Sequence, residues 1–185
     1  IVSRDWSSDV CSSDLMNKIY NFSAGPAVLD QSVLDATSKA VKEFNGLGMS
    51  LMEMSHRSKP VMDMVAETES LTRELLHIPD GYHVLFLQGG ASLQFAMIPM
   101  NLLGEDQTVD YTDTGAWSAK AIKEAHLFGN VNVACSSKES LYNHIPKELN
   151  QSSHAVYLHI TSNNTIYGTQ WKDFPTPLNP NGYLV

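Results

Sequence analysis

The sequence is short of cysteine and of positive charge, and it contains no long apolar run. Its two cysteines, Cys11 and Cys135, fit neither a disulfide framework nor a metal site, so no metal is predicted and a reducing cytoplasm is favoured. The 20 acidic residues outnumber the 12 basic ones, which argues against a nucleic-acid partner because such a protein needs a basic face. No apolar stretch is as long as a membrane span, and we expect neither a signal peptide nor a membrane partner. A small anionic ligand stays compatible with this charge balance, since backbone N–H groups and one or two arginines suffice to bind one.

The first fifteen residues differ in character from the rest of the chain. Residues 1–15, IVSRDWSSDVCSSDL, contain Ser-Ser-Asp twice and have no hydrophobic period, and Met16 follows them directly. We expect a non-native leader, such as a vector or assembly scar, with a disordered native tail as the alternative; both predict no packed structure. Residues 16–185 contain no linker and are predicted to form one domain. That domain is expected to be truncated, because the final YLV looks like the beginning of a buried strand.

Apolar periodicity predicts alternating helices and strands in residues 16–185. Asp30 and Ser58 are expected as N-caps. Helices are predicted over 32–44, 60–77, 91–103 and 115–128, strands over 84–88, 108–112, 130–135, 154–160 and 183–185, a helical turn over 144–149 and a polar loop over 162–171. This alternation predicts an α/β fold with three layers, in which helices cover both faces of a mostly parallel sheet.

One glycine-rich turn lies where such sheets bind ligands. Gly89, Gly90, Ala91 and Ser92 follow the predicted strand 84–88 and open the next helix. The first N–H groups of a helix are unpaired and partly positive, so the turn predicts a phosphate cradle. A tight turn with a serine cap explains the motif equally well. Neither GxGxxG nor a Walker lysine is present, which weakens a nucleotide-binding interpretation.

Three further stretches carry candidate ligand-binding residues. Trp117 follows a strand within Gly-Ala-Trp-Ser and could stack on an aromatic ring, although a core tryptophan is the alternative. Asn163, Asn164 and Thr165 follow the strand 154–160 and could hold a ring substituent, with turn formation as the alternative. His56 and Arg57 interrupt a methionine-rich connector, where an arginine could bind a carboxylate or phosphate or could simply be solvated. Together with the cradle, the strand-end residues predict a site for a flat phosphorylated heteroaromatic such as pyridoxal phosphate.

Residues 16–185 closely resemble the N-terminal half of the phosphoserine aminotransferase family, fold-type I pyridoxal-phosphate enzymes within the class V aminotransferases. The resemblance is carried by NFSAGPA (21–27), NGLGMSLMEMSHRSK (45–59), LFLQGGASLQFAMIPMNLL (85–103), DYTDTGAWSAKAIKEA (110–125) and NNTIYGT (163–169). It implies the partial large, cofactor-binding domain of a cytoplasmic homodimeric enzyme. The implied reaction converts 3-phosphohydroxypyruvate and L-glutamate into O-phospho-L-serine and 2-oxoglutarate in serine biosynthesis, and a related step serves pyridoxine biosynthesis in some bacteria.

The resemblance also implies roles for single residues. Ala91 and Ser92 match the pair that binds the cofactor phosphate, Trp117 matches the residue that stacks on the pyridine ring, and Thr165 matches a residue that hydrogen-bonds near the ring hydroxyl. His56 and Arg57 match the group that binds the substrate anion and reaches the neighbouring subunit's site in the family.

The sequence departs from the family pattern in ways that bear on activity. Some members have Arg where this chain has Ser92, and some have Ser where it has Ala24. The family's Schiff-base lysine and its pyridinium-binding aspartate match no residue of this chain, so no catalytic residue is assigned and the chain alone is expected to be inactive. Another class V aminotransferase and a non-catalytic α/β fragment stay as alternatives.

Overall fold

A computed structural model of the protein describes residues 20–185, which belong to two compact units of the chain. The first unit is Ile1–Val84 and the second is Leu85–Val185. The expected leader, residues 1–15, lies outside the described residues, and the single domain over 16–185 stays a prediction. Among residues 20–185, no helix is both long and apolar enough to cross a membrane.

The first unit contains two helices that begin at the expected caps. Helix α1 is Gln31–Lys42, and the Asp30 carboxylate accepts a hydrogen bond from the Ser32 N–H at 2.9 Å, which satisfies one donor of the first turn. After a 3₁₀ turn at Leu51–Glu53, helix α2 is Lys59–Leu75 and has Pro60 in its first turn, where the missing N–H costs nothing. Ser58 precedes α2 as predicted, but its hydroxyl donates to the Ser55 carbonyl instead of capping the helix.

The second unit is a parallel α/β sheet. Its elements are α3 (Gly90–Leu102), β1 (Thr108–Asp113), α4 (Ala116–Ala125), β2 (Asn130–Ser136), a 3₁₀ turn (Lys138–Ser140), β3 (Tyr157–His159), β4 (Asn163–Asn164), β5 (Thr169–Gln170) and β6 (Tyr183–Leu184). The order in the sheet is β2-β1-β3-β6 and all three pairings are parallel, while β4 and β5 form a separate antiparallel hairpin. The predicted α/β class with a parallel sheet is confirmed.

The core of the second unit lies against the central strand β1. Residues 109–113 are all buried, as expected for an interior strand with both faces covered. Small side chains let α4 approach the sheet closely. The buried cluster consists of Val109, Tyr111, Ala121, Ala125 and Tyr157. The hydroxyls of Tyr111 and Tyr157 lie 2.8 Å apart, so these two buried polar groups satisfy each other, and burial raises the pKa of both phenols.

Three sequence predictions are wrong. Residues 84–88 form no strand, and Leu85 is 71% exposed, because a strand needs a hydrogen-bonded neighbour and no described strand pairs with this run. The helical turn predicted at 144–149 is absent, since Pro146 disfavours helical backbone at the residue before it, and a 3₁₀ turn forms at Lys138–Ser140 instead. The loop predicted at 162–171 contains the β4–β5 hairpin, whose strands have only two residues each and so lack a detectable alternation.

Candidate functional site

A cavity of about 440 Å³ opens at the carboxyl ends of β1 and β3 in the second unit. This is the edge of a parallel sheet at which α/β proteins bind ligands, and the volume suits a small molecule. Three stretches of chain form its walls. They contribute Gly89, Gly90, Ala91, Ser92, Phe95, Trp117, His159, Ile160, Thr161, Ser162, Asn163 and Thr165. The four residues expected to bind the cofactor, Ala91, Ser92, Trp117 and Thr165, therefore line one cavity. Gly89, Gly90 and Asn163 of the same predicted stretches line it as well, whereas Asn164 does not.

The Gly89–Ser92 turn supplies the beginning of a helix to the cavity wall. Gly89 has a left-handed φ of 88°, and a Cβ there would lie 2.5 Å from Cδ2 of Leu93, so both backbone and space require glycine. Helix α3 begins at Gly90, and the N–H groups of a first helical turn have no acceptor within the helix. This end of the cavity therefore offers unpaired donors of the kind that an anion needs, and the phosphate-binding role of Ala91 and Ser92 stays a prediction.

Trp117 lies at the cavity wall rather than in the core cluster, which decides against the core-tryptophan alternative. Its indole N–H donates a hydrogen bond to Oγ1 of Thr165 at 3.0 Å. The Lys120 ammonium lies 4.5 Å from the ring centroid and makes a cation–π contact. The indole is therefore oriented from two sides.

Ser118 fixes the turn that carries Trp117. Its Oγ accepts hydrogen bonds from the N–H groups of Thr114 and Gly115, both at 2.9 Å, and donates to the Gly115 carbonyl at 2.8 Å. Ser118 is fully buried, so these bonds are shielded from water. The turn between β1 and α4 thus holds Trp117 at a defined place.

His159 is a cavity residue that sequence reasoning missed. It is only 6% exposed, and its ring stacks on Tyr111 at 4.6 Å with Phe95 edge-on at 6.4 Å. Burial lowers the pKa of His159 to about 4, so the imidazole is neutral at pH 7. Its Nδ1 has no hydrogen-bond partner among residues 20–185. The available signal was its position next to the end of the predicted strand 154–160, just before the polar loop.

The Asp113 carboxylate, at the end of β1, supports the same edge of the sheet from outside the cavity. The Asp113 carboxylate accepts hydrogen bonds from Ser136 Oγ at 2.7 Å and Tyr142 Oη at 3.1 Å. Burial and this carboxylate raise the pKa of Tyr142 to about 12. The Tyr142 ring also packs on Tyr167 of the hairpin loop, with centroids 4.8 Å apart. Asp113 therefore acts on the site indirectly, by holding the residue that contacts the hairpin.

His56 and Arg57 belong to the first unit. Both are exposed, in the turn that precedes α2, and the Arg57 N–H donates to Ser55 Oγ at 3.3 Å. Their role in substrate binding stays a prediction.

Comparison with known proteins identifies similar sequences and structures. The sequence profile of the family described as Aminotransferase class-V matches residues 19–177. A phosphoserine aminotransferase of Desulfotalea psychrophila (strain LSv54 / DSM 12343) is 51% identical over 163 residues, which are 87% of this chain and 45% of the relative. The chain thus spans about half the length of the curated relatives that it matches.

Two solved structures extend the comparison to three dimensions. Phosphoserine aminotransferase from Bacillus circulans subsp. alkalophilus is 47% identical with a TM-score of 0.83, over 90% of this chain and 46% of that chain. Pyridoxal-phosphate-bound phosphoserine aminotransferase from Trichomonas vaginalis is 34% identical with a TM-score of 0.79, over 90% of this chain and 47% of that chain.

Proposed function

The chain belongs to the class V aminotransferase family, and we propose that the protein carrying it is a pyridoxal-phosphate-dependent phosphoserine transaminase. The proposed reaction converts 3-phosphohydroxypyruvate and L-glutamate into O-phospho-L-serine and 2-oxoglutarate, as a step of serine biosynthesis. One observation carries the proposal: three stretches of chain bring the N-terminus of α3, the Trp117 indole and the Thr165 hydroxyl around one cavity of about 440 Å³. The curated relatives with about 51% sequence identity to this chain are phosphoserine aminotransferases.

The cavity residues fit the cofactor by the chemistry of their donors. The beginning of α3, residues 89–92, is the anion half of the cavity and would hold the cofactor phosphate on backbone N–H groups and the Ser92 hydroxyl. Trp117 and Thr165 are the ring half, which would offer a flat face and a hydroxyl to the pyridine ring. When bound, pyridoxal phosphate supplies an electron sink for moving an amino group between an amino acid and an oxo acid.

Three residues of the chain prepare the site without touching a reacting bond. The Trp117 N–H occupies one acceptor position of Thr165 Oγ1, which leaves the Thr165 hydroxyl hydrogen free to be donated to a ligand. His159 presents a neutral imidazole to the cavity, so it adds no positive charge that would compete with the N-terminus of α3 for the phosphate. The ring half is therefore oriented by hydrogen bonding, and the anion half by backbone.

Substrate binding rests on the first unit in this proposal. Arg57, with His56 beside it, would bind the anionic substrate, and a homodimer would bring this pair to the neighbouring subunit's site. Some family members have an arginine where Ser92 stands, so Ser92 provides a neutral donor and leaves more of the substrate's charge to Arg57. We also propose a cytoplasmic location and a second use of the enzyme in pyridoxine biosynthesis.

The test is to express the complete reading frame that contains this chain and to assay glutamate-dependent conversion of 3-phosphohydroxypyruvate. Alanine with glyoxylate serves as the competing substrate pair. Preference for the phosphorylated oxo acid supports the proposal, whereas preference for glyoxylate assigns another class V activity. The 185-residue chain expressed alone is expected to be inactive, since it lacks the family's Schiff-base lysine. Activity of that short chain would contradict the assignment of the missing lysine.

A further inference from the structure

A buried asparagine joins the two stretches of chain that form the ring half. Asn164, in β4, is 1% exposed. Its Nδ2 donates hydrogen bonds to Thr114 Oγ1 at 3.3 Å, just after β1, and to Thr169 Oγ1 at 3.1 Å, in β5. The amide thus connects the hairpin to the sheet, across 50 residues of sequence, and also closes the hairpin itself.

Gly115 provides the space that this asparagine occupies. A Cβ added at Gly115 would lie 2.5 Å from Asn164 Oδ1 and 3.0 Å from its Cγ, closer than side chains approach each other. The φ of Gly115 is 170°, an extended value that any residue adopts, so the backbone does not require glycine here. Close approach of Asn164 is the reason for this glycine.

The residues that face the ligand adjoin this contact. Trp117 comes two positions after Gly115, and Thr165 comes directly after Asn164. Their mutual hydrogen bond of 3.0 Å is exposed, so water competes with it and it can contribute little alone. The buried amide is different, because losing its partners would leave desolvated donors and acceptors unpaired. The distance between the indole and the Thr165 hydroxyl is therefore set mainly by the buried contact.

We propose that Asn164 is a positioning residue for the ring half, and that Gly115, by lacking a side chain, leaves the space that the Asn164 side chain occupies. Asn164 does not line the cavity, and its role is to fix the positions of Trp117 and Thr165 relative to each other. The anion half depends on its own turn and is independent of this contact. The inference rests on the proposed function, because it assumes that the cavity binds a phosphorylated pyridine.

The test compares a ring-bearing ligand with an anion alone, using the product of the complete reading frame. The ring ligand is 4′-deoxypyridoxine 5′-phosphate, which cannot form a Schiff base, and the anion is inorganic phosphate. Asn164→Ala should weaken binding of the ring ligand about tenfold, the loss expected for a buried hydrogen-bonding group, and should change phosphate binding less than twofold. Asn181→Ala is the control, since Asn181 is an exposed asparagine of the same unit, and it should change neither.

A double variant tests the match between the two residues. Gly115→Ala should weaken ring binding at least as much as Asn164→Ala, because the new methyl displaces the amide. Combining the two should weaken it less than the product of the single effects, since Asn164→Ala removes the atoms that the methyl would strike. Thr169→Val removes one acceptor of the amide and is the milder variant if Asn164→Ala melts before it can be assayed; a loss of two- to threefold in ring binding is expected.

The outcomes separate this inference from the proposed function. Equal losses for the ring ligand and for phosphate would show a general effect on folding and overturn the positioning role. Unchanged ring binding in Asn164→Ala or Thr169→Val would overturn it as well. If the unaltered protein binds phosphate but not the ring ligand, the cofactor assignment itself fails, and the inference fails with it.

Discussion

The two halves of the cavity are built in different ways. The anion half is local, since consecutive residues 89–92 and the beginning of α3 define its shape. The ring half is assembled from distant stretches: Trp117 and Thr165 are 48 residues apart, and Asn164 and Thr114 are 50 apart. A local site depends on what the backbone of a few residues can adopt, whereas an assembled site depends on packing that spans the sheet. The two halves should therefore respond to different substitutions.

The largest effect is expected from breaking the anion half. Gly89→Ala places a Cβ at a left-handed φ of 88° and 2.5 Å from Leu93, so the turn must change shape. We expect phosphate binding to weaken about a hundredfold, as measured by calorimetric titration, while the ring half stays formed. Gly81→Ala is the matched control: its φ is 92°, but an added Cβ there meets nothing within 4 Å. Phosphate binding by Gly89→Ala equal to that of Gly81→Ala would contradict a local anion site.

A second test concerns the burial of His159, which lines the cavity beside the ring half. Burial lowers the pKa of His159 to about 4. Below pH 6.5 the imidazole therefore binds a proton in the unfolded chain, whereas in the folded protein it stays neutral until the pH approaches 4. His159 therefore lowers the free energy of unfolding progressively between pH 6.5 and pH 4, by about 2 kcal/mol at pH 5, and has no such effect at pH 7.5.

His159→Phe isolates this contribution, because a phenyl ring can fill the space beside Tyr111 and Phe95 without titrating. Urea unfolding at pH 7.5 and pH 5 should show the variant gaining about 2 kcal/mol relative to the unaltered protein on going to pH 5. Equal pH dependence of the two proteins would mean that the imidazole is not buried as described.

The smallest effect is expected from the exposed bond within the ring half. Trp117→Phe keeps an aromatic face and removes the N–H that Thr165 accepts, so binding of 4′-deoxypyridoxine 5′-phosphate should weaken only two- to threefold. Thr165→Val removes the same bond together with the hydroxyl that would donate to the ligand, so it should weaken binding more than Trp117→Phe, and only the part due to the shared bond should be absent in the Trp117→Phe background. Full additivity of the two substitutions would show that the indole and the hydroxyl contribute independently.

The same contrast between local and assembled features explains what the sequence could predict. Helices α1 and α2 were predicted within three residues at each end, because their apolar period and their caps are local signals. Strand β1 was predicted for the same reason, since the GEDQ turn before it and the alternation of Val109 and Tyr111 with polar residues are local signals. The run at 84–88 has a strong apolar signal as well, yet a strand forms only where another strand is available to pair with it. The residues of the run carry no information on whether such a neighbour exists.

The candidate site shows the same division. Ala91, Ser92, Trp117 and Thr165 were expected to line one cavity, and they do, since all follow strand ends or open helices at one edge of the sheet. His159 and the contact of Asn164 with Gly115 were not expected. Both depend on which residues of distant segments come to lie side by side, as Tyr111 and His159 do in neighbouring strands. Spacing within one segment carries no information on such register.

The sheet order β2-β1-β3-β6 also has a consequence for how the protein is made. The central strand β1 leaves the ribosome before its neighbours, and β2 and β3 then add to its opposite sides. The residues of the anion half, 89–92, precede those of the ring half in the chain, and Thr165 belongs to the hairpin that comes last of the cavity segments. During synthesis the residues of the anion half are therefore complete before those of the ring half.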